Sequence, residues 1–396
     1  ENNRDMMISE LEVKKAEARL KESWSAFYPT VNLQSSYTRM LGVPQFEIET
    51  PTGVQAIPLG YPDNYSNSLQ ITFPLFTFGK RIVAKDIAKK GVEVQQFREE
   101  TDKLNLIKDV ATTYFGVVSA REAVKIAGES VNRATDHLNT ANIQYEQGRI
   151  TKLELLSAET ELNKRKTELL NAENGLKKAR SALNILLGFP VDTIVGVEED
   201  IEFTVDSFNL DSITASAISR RPEIKSLEKL NSIAKLSNTL QYLSYLPNIV
   251  FNGSISYDKP SQMTNQWDNN LTATIALSLP IFDGFSRSSR TQQYMVEAEQ
   301  SRIRENIVRE GIRMEVKNLL LDYRLNKKKW KLSEKELQRA EESYRMAEEQ
   351  YENGYISALE YKDVELGYRS ARFALLNARY NLKVSLEKLK IATMLN

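Results

Sequence analysis

The chain has 396 residues, and its 53 Lys and Arg balance 53 Asp and Glu, so net charge argues neither for nucleic acid nor for an anionic surface as partner. The absence of cysteine excludes thiol chemistry, cysteine-based zinc sites and disulfides, and the single histidine, His137, lacks the partners of a His-based triad and the second imidazole of a metalloprotease helix. Hydrophobic residues at 41% and charged residues at 27% mark a folded chain, yet no window approaches the roughly 18 apolar residues of a transmembrane helix.

A first helical stretch leads to "FYPTV" at Phe27–Val31. Beyond Pro29, Val31, Leu33 and Tyr37 alternate with Asn32, Gln34, Ser36 and Thr38, which predicts a strand over 30–40. Residues 41–66 are rich in Gly, Pro, Asn and Ser and read as a loop. Leu69, Ile71 and Phe73 then alternate with Ser68, Gln70 and Thr72, predicting a strand over 67–76. From about Lys80 to Gln147 there is no proline, and Leu104, Ile107, Val110, Ala111 and Tyr114 recur at helical spacing. A helix of that length spans roughly 100 Å and implies a coiled-coil-like arrangement. Gly148 then marks a tight turn into a helix over 151–187, with Thr151 and Glu154 at capping-box spacing. The segment 189–219 follows, with an acidic run at Glu198, Glu199 and Asp200.

The same order then repeats. Strands are predicted over 248–258 and 270–279, separated by a loop at 259–269 that holds Trp267. A long helix runs from about Arg287 to Asn353, Gly354 marks a turn, and Ser357 with Glu360 opens a last helix over 357–394. "YEQGRITKLELL" (145–156) and "YENGYISALEYK" (351–362) are offset by 206 residues, as are "LLNA" at 169 and 375. "FYPTV" and "YLPNI" are offset by 218, so the interval between the proline sites is twelve residues longer in the first copy, where the loop lies. The domain reading is a first repeat over 1–188, a linker over 189–219 and a second repeat over 220–396.

Four strands with one apolar and one small-polar face suit lipid on one side and water on the other. Strands in lipid must close, because an open edge leaves backbone groups unpaired, and four are too few to close around water. Several copies of the chain contributing four strands each would satisfy this.

The duplicated order, carried by "NNRDMMISELEVKKAEARLKESWSAFYPTV" (2–31), "FPLFTFGK" (73–80), "YEQGRIT" (145–151), "RRPEIKSLE" (220–228), "YLPNIVF" (245–251), "LPIFDGFSR" (279–287) and "YENGYISALEYKDVEL" (351–366), resembles the TolC family of outer-membrane channel proteins. The resemblance covers essentially the whole chain and rests on order and spacing more than on any one motif. It implies a mainly α fold with β: a homotrimer in which a long α-helical barrel continues a twelve-stranded transmembrane β-barrel in the bacterial outer membrane and spans the periplasm. Family members carry a further helical lead-in before Asn2, so the resemblance also implies that the ends are trimmed.

Roles follow by position. Pro29, Pro74, Pro247 and Pro280 would mark helix–strand junctions. Phe27, Tyr28, Phe73, Phe76, Phe78, Tyr245, Phe282 and Phe285 gather at those junctions, either as an aromatic belt at the periplasmic interface or as ordinary corner packing. Residues 41–66 and 259–269 would be extracellular loops, and 189–219 an equatorial element. Tyr145, Gly148, Ile150, Tyr351, Gly354 and Ile356 would form the periplasmic tip that meets an adaptor (membrane fusion) protein and, through it, an inner-membrane transporter. Glu360 and Asp363, six and nine residues beyond Gly354, would form acidic gate rings, with Glu154 as first-copy counterpart and Ser157 at the other position. Ile356 replaces the basic latch of some members. Glu360 and Glu154 serve equally as helix caps.

The function implied is a passive exit duct of an efflux or type I secretion system with an iris-like gate, without enzymatic activity, cofactor or metal. The alternative is a soluble antiparallel coiled-coil scaffold. "NKKKWK" (326–331) is no nucleic-acid signal, because its first-copy counterpart is not basic. His137 is expected on the surface.

Overall fold

The computed structural model describes residues 2–51, 53–193, 195–197, 207–260 and 264–395; the acidic run Glu198, Glu199 and Asp200 lies outside them. In chain order these form α1 (Arg4–Ser25), β1 (Thr30–Arg39), β2 (Gln45–Thr50), β3 (Gly53–Pro58), β4 (Asp63–Phe76), α2 (Lys80–Glu146), α3 (Lys152–Leu187), α4 (Leu210–Arg220), α5 (Pro222–Leu243), β5 (Asn248–Lys259), β6 (Asp268–Ser278), α6 (Ser286–Glu352) and α7 (Ala358–Thr393). The duplication keeps length: α2 and α6 each have 67 residues, α3 and α7 each 36, α1 and α5 each 22. The copies are not compact bodies, however. One compact unit takes residues 12–95 and 226–304, the other 1–11, 96–225 and 305–396, so each draws on both copies.

The first of these units holds an antiparallel sheet in the order β1-β4-β5-β6. Its register sorts the side chains by face. Leu33, Leu69, Ile255 and Leu271 stand in one row, and Gln34, Ser68, Ser256 and Asn270 stand in the adjacent row on the other face. Thr72 and Asn252 hydrogen-bond across that polar face at 3.1 Å, and Ser66 donates to Asp258 at 2.6 Å. One face is therefore aliphatic and the other a lining of small amides and hydroxyls.

Three expectations are corrected here. Residues 41–66 are not all loop, because β2 and β3 pair as a hairpin with Phe46 opposite Ile57 and Glu49 opposite Val54. The alternation Phe46, Ile48 against Gln45, Glu47, Glu49 was present but too short to stand out from the turn residues around it. β4 also starts at Asp63, four residues earlier than predicted, since Asn67 on the aliphatic face masks a pattern that continues back to Tyr65. Pro29 and Pro247 each directly precede a strand, and Pro280 follows β6, but Pro74 lies inside β4. The ladder to β5 slips between Pro74 and Phe76, a bulge at the residue that has no N–H to give.

The strand-to-helix corners form a duplicated device. Phe78 and Gly79 have φ of 50° and 85°; their counterparts Gly284 and Phe285 have 64° and 67°. Two successive left-handed residues turn the chain, and glycine and phenylalanine exchange places between copies. Arg81 Nε donates to Thr77 Oγ1 at 3.2 Å and its guanidinium lies 5.2 Å from the Phe27 ring. Arg287 Nε donates to Asp283 Oδ2 at 2.7 Å and lies 4.7 Å from the Tyr245 ring. A cation over an aromatic face thus fixes each corner.

In the second unit, Ile213, Ala217, Ile224, Ile312, Val316, Leu320, Tyr323, Leu382, Leu386 and Leu389 form a buried core contributed by α4, α5, α6 and α7. Their spacings of three and four put one stripe of each helix inward. Helix ends are tied down in the same way in both copies. Asn3 Nδ2 donates to the Leu186 carbonyl at 2.7 Å, and Arg221, 218 residues on, donates to the Ala392 carbonyl at 2.7 Å. α3 ends at Gly188 with φ 77°, where an added Cβ would come within 2.0 Å of the Asn2 carbonyl oxygen. Gly148 has a similar φ of 69° but open space around it. Gly148→Ala should therefore cost only the left-handed backbone term of about 1–2 kcal/mol. Gly188→Ala should cost clearly more, because backbone must move; thermal midpoints of the two variants in detergent check the difference.

Candidate functional site

The two glycine turns share one geometry. Gly148 N–H donates to the Tyr145 carbonyl at 2.9 Å and Arg149 N–H to Gln144 at 2.8 Å. Gly354 N–H donates to Tyr351 at 3.0 Å and Tyr355 N–H to Gln350 at 2.8 Å. These paired bonds close the helix C-terminus around a left-handed glycine. Three residues later a capping box opens the next helix. Thr151 N–H donates to Glu154 Oε2 at 2.7 Å and Ser357 N–H to Glu360 Oε2 at 2.8 Å, while the hydroxyls accept from the Glu154 and Glu360 N–H groups, each at 3.3 Å. The backbone N–H and hydroxyl of Ser357 hold the Glu360 carboxyl below the usual carboxylate range. Asp363 is exposed one turn further along α7.

The duplicated tyrosines part company. Tyr145 is exposed, whereas Tyr351 is half-buried and stacks on Tyr361 with ring centroids 4.8 Å apart. His137 lies 5.8 Å from the Tyr351 ring and 6.3 Å from Tyr361, half-buried and not on the surface as its sequence context suggested. A cavity of ≈ 240 Å³ opens beside these rings, lined among others by Ile150, Glu154, Leu359 and Glu365. Burial, then the Lys362 charge, holds the His137 imidazole below its ordinary value, with Glu161 opposing. Burial pushes the Glu365 carboxyl up, with Arg165 and Arg133 opposing. Ile356 is half-buried and supplies no charge.

What sequence reading missed is a chain of alternating charges joining α7 to α3. Lys362 Nζ lies 3.1 Å from Glu161 Oε2, Glu161 pairs with Arg165, Arg165 Nη1 reaches Glu168 Oε2 at 2.9 Å, and Arg369 Nη1 reaches the same oxygen at 3.1 Å. The Arg165 side chain is only 3% exposed. Glu161 and Glu168 are one heptad apart on α3, as are Lys362 and Arg369 on α7, so the rungs keep pace along the two helices. Arg372 pairs with Glu129 of α2 and adds a third tie. Burial raises the Glu161 carboxyl, but Lys362 and Arg165 outweigh this and hold it low; the Arg372 hydrogen bond does the same for Glu129. Comparison of the two copies gives no signal for them, because the counterparts of Glu161, Arg165 and Glu168 are Gly367, Ala371 and Ala374.

The model of a family described as outer membrane efflux protein matches residues 1–189 and 214–393. The chain belongs to the outer membrane efflux protein family. It is 23% identical over 310 residues to the pyoverdine export outer membrane protein OpmQ of Pseudomonas putida, covering 77% of this chain and 64% of that protein. It is 24% identical over 187 residues to the probable outer membrane lipoprotein SilC of Salmonella typhimurium, covering 47% and 38%. The chain thus spans less than two thirds of the length of these relatives. Among solved structures, the CmeC outer membrane channel of Campylobacter jejuni superposes with a TM-score of 0.80 at 18% identity, over 99% of this chain and 83% of that one. The open-state MtrE channel of Neisseria gonorrhoeae gives 0.78 at 19% identity, over 99% and 86%. The efflux family places the chain in the outer membrane, and the superpositions assign it the fold of helical barrel with β-barrel part.

In this efflux-family chain the charge chain should couple α3 and α7 directly. Glu168→Arg and Arg369→Glu should each lower the thermal midpoint, and the exchanged pair should restore only part of it because Arg165 loses its Glu168 partner, with coupling of about 0.5–3 kcal/mol in the double-mutant cycle. pH sensitivity follows from the lowered groups. A group with a depressed folded value contributes stability above its unfolded value and loses it as pH falls through the folded one. For His137 that loss lies below its ordinary 6.5, and for Glu129 and Glu161 below 4.5. Glu365, shifted up, opposes them. The midpoint of His137→Gln, followed from pH 7 to 4.5, should fall less than that of the native chain.

Proposed function

We propose that this protein is the trimeric exit duct of a tripartite efflux or type I secretion system, passing cargo from the periplasm to the exterior without chemistry of its own. The observation that carries the reading is the sheet. β1 and β6 are its edges among the described residues, one face is aliphatic, and the other is lined by Asn, Gln, Ser and Thr. Such a sheet has no core to cover, and in lipid its edges must be paired. Pairing β1 of one copy with β6 of the next closes three copies into one twelve-stranded barrel with an uncharged polar lining over most of its depth. Exposed Tyr28, Phe76, Phe282 and Phe285 at the corners suit the periplasmic membrane interface. A soluble scaffold would leave all of this unexplained.

The glycine turns form the periplasmic tip in this reading, where Tyr145, Gly148, Ile150, Tyr351, Gly354 and Ile356 meet the adaptor and an inner-membrane transporter supplies the energy. Glu360 and Asp363 are exposed at the start of α7 and give two acidic rings around a threefold axis, backed by Glu154. With Ile356 in place of a basic latch, the chain from Lys362 to Arg369 holds α3 and α7 together in the resting tip. The duct suits small molecules and an unfolded polypeptide alike; relatives are named for pyoverdine export and for toxin and drug export.

Single-channel recording in planar bilayers tests this. The native chain should give small cation-selective steps. Glu360→Ala with Asp363→Ala should enlarge them and abolish the selectivity. A protein that stays soluble without detergent and never inserts would refute the duct, while unaltered steps in the double variant would remove the gate assignment.

A further inference from the structure

The aliphatic face of the sheet changes character along the strands. Rows built from Val31, Ile71 and Ala273, and from Leu33, Leu69, Ile255 and Leu271, give way to Ser35, Asn67, Tyr257 and Asn269. Next come Tyr37, Tyr65 and Lys259, and then Arg39 opposite Asp63. Around this level four rings follow one another across the sheet, Trp267 standing one residue before β6. Tyr37 and Tyr65 lie 4.9 Å apart, Tyr65 and Trp267 5.8 Å, and Trp267 stacks on Tyr257 at 4.7 Å with 9° between planes. Tyr37 donates its hydroxyl to Asp63 at 2.8 Å, and Arg39 lies 3.7 Å from the same carboxylate, which neutralises it. Lys259 is half-buried directly opposite Tyr65, and its ammonium has no hydrogen-bond or ion-pair partner among the described residues.

An ammonium without a partner among the described residues, above aliphatic rows on a lipid-facing surface, is a seat for an anion. The layers run from acyl-chain surface, through amide, hydroxyl and ring groups, to cations. That is the layering of a phosphorylated glycolipid: acyl chains, then sugars, then phosphate. Flat rings stack on sugar faces as amphipathic interface groups, and Lys and Arg pair phosphate. We propose that this face binds a phosphorylated glycolipid of the outer leaflet, Lys259 taking a phosphate and the ladder Tyr37–Tyr65–Trp267–Tyr257 lying against the sugars. The proposal rests on reading the sheet as transmembrane with this face toward lipid.

The test uses the full chain, purified in detergent, with diphosphoryl lipid A and its enzymatically dephosphorylated form as probes, and bound lipid read by native mass spectrometry. The native chain should prefer the diphosphoryl form at least tenfold. Lys259→Ala should reduce that preference about fivefold, and Lys259→Arg should keep it. Single-channel conductance is recorded on every variant to show that the fold is intact. A native chain that conducts but binds both probes equally, or a Lys259→Ala variant that conducts and keeps the full preference, overturns the glycolipid site. A native chain that neither inserts nor conducts overturns the duct itself, and the site falls with it.

Discussion

A strand edge in hydrocarbon has only another strand to pair with, and that single constraint organises the sheet end of this protein. β1-β4-β5-β6 satisfies every internal ladder and leaves the outer sides of β1 and β6. The central pairing of β4 with β5 is what joins the two copies of the repeat into one sheet, since β1/β4 and β5/β6 are each local hairpins. The duplication therefore supplies two equivalent hairpins, and the sheet carries the same sequence of faces across both. A one-residue slip anywhere would exchange lipid-type for water-type side chains. The bulge at Pro74 comes after the rows where that matters most, close to the helix corner.

The corners show how a repeat holds geometry while its residues drift. Thr77 and Asp283 differ, Phe27 and Tyr245 differ, and glycine changes position between Gly79 and Gly284. Each corner nevertheless keeps two left-handed residues, one arginine bound to the capping side chain, and one aromatic ring beneath the guanidinium. A non-glycine residue in the left-handed region costs roughly 1–2 kcal/mol. Phe78 and Phe285 hold that conformation in both copies, so the corner's own contacts over-determine it.

Much of this was legible in the sequence, for reasons that differ by element. The long helices, the glycine turns and the capping boxes at Thr151 and Ser357 are local signals, complete within a few residues. The strands showed because two unlike solvents impose a period of two. The hairpin β2–β3 was hidden because six-residue strands set among turn residues carry too little alternation, and the start of β4 because Asn67 interrupts its apolar face. The charge chain was not legible, because Glu161, Arg165 and Glu168 look like an ordinary solvated helix face until α7 is laid against it. His137 was misplaced for the same reason: its neighbours Tyr351 and Tyr361 are more than 200 residues away.

Position and partners also decide what the tip carboxylates can do. Glu154 and Glu360 are committed to their helix caps, with both the backbone N–H and the hydroxyl of the cap residue as partners. A carboxylate held by two bonds to its cap residue is not free to swing, so in the proposed gate it supplies a stationary field and not a moving part. Asp363 has no such commitment. In the proposed gate, motion comes from the hairpins, and the ties between them are set back from the turns, beginning at Lys362 and His137. The glycine turns are closed by their own backbone bonds, to which Asn353 Nδ2 adds one to the Glu349 carbonyl at 2.8 Å, with open space around both glycines. The arrangement separates three tasks along one short stretch: Ser357 and Glu360 start α7, Asp363 stays exposed, and Lys362, Arg369 and Arg372 bind the first hairpin. In the proposed gate, loosening the last group would release the first two together.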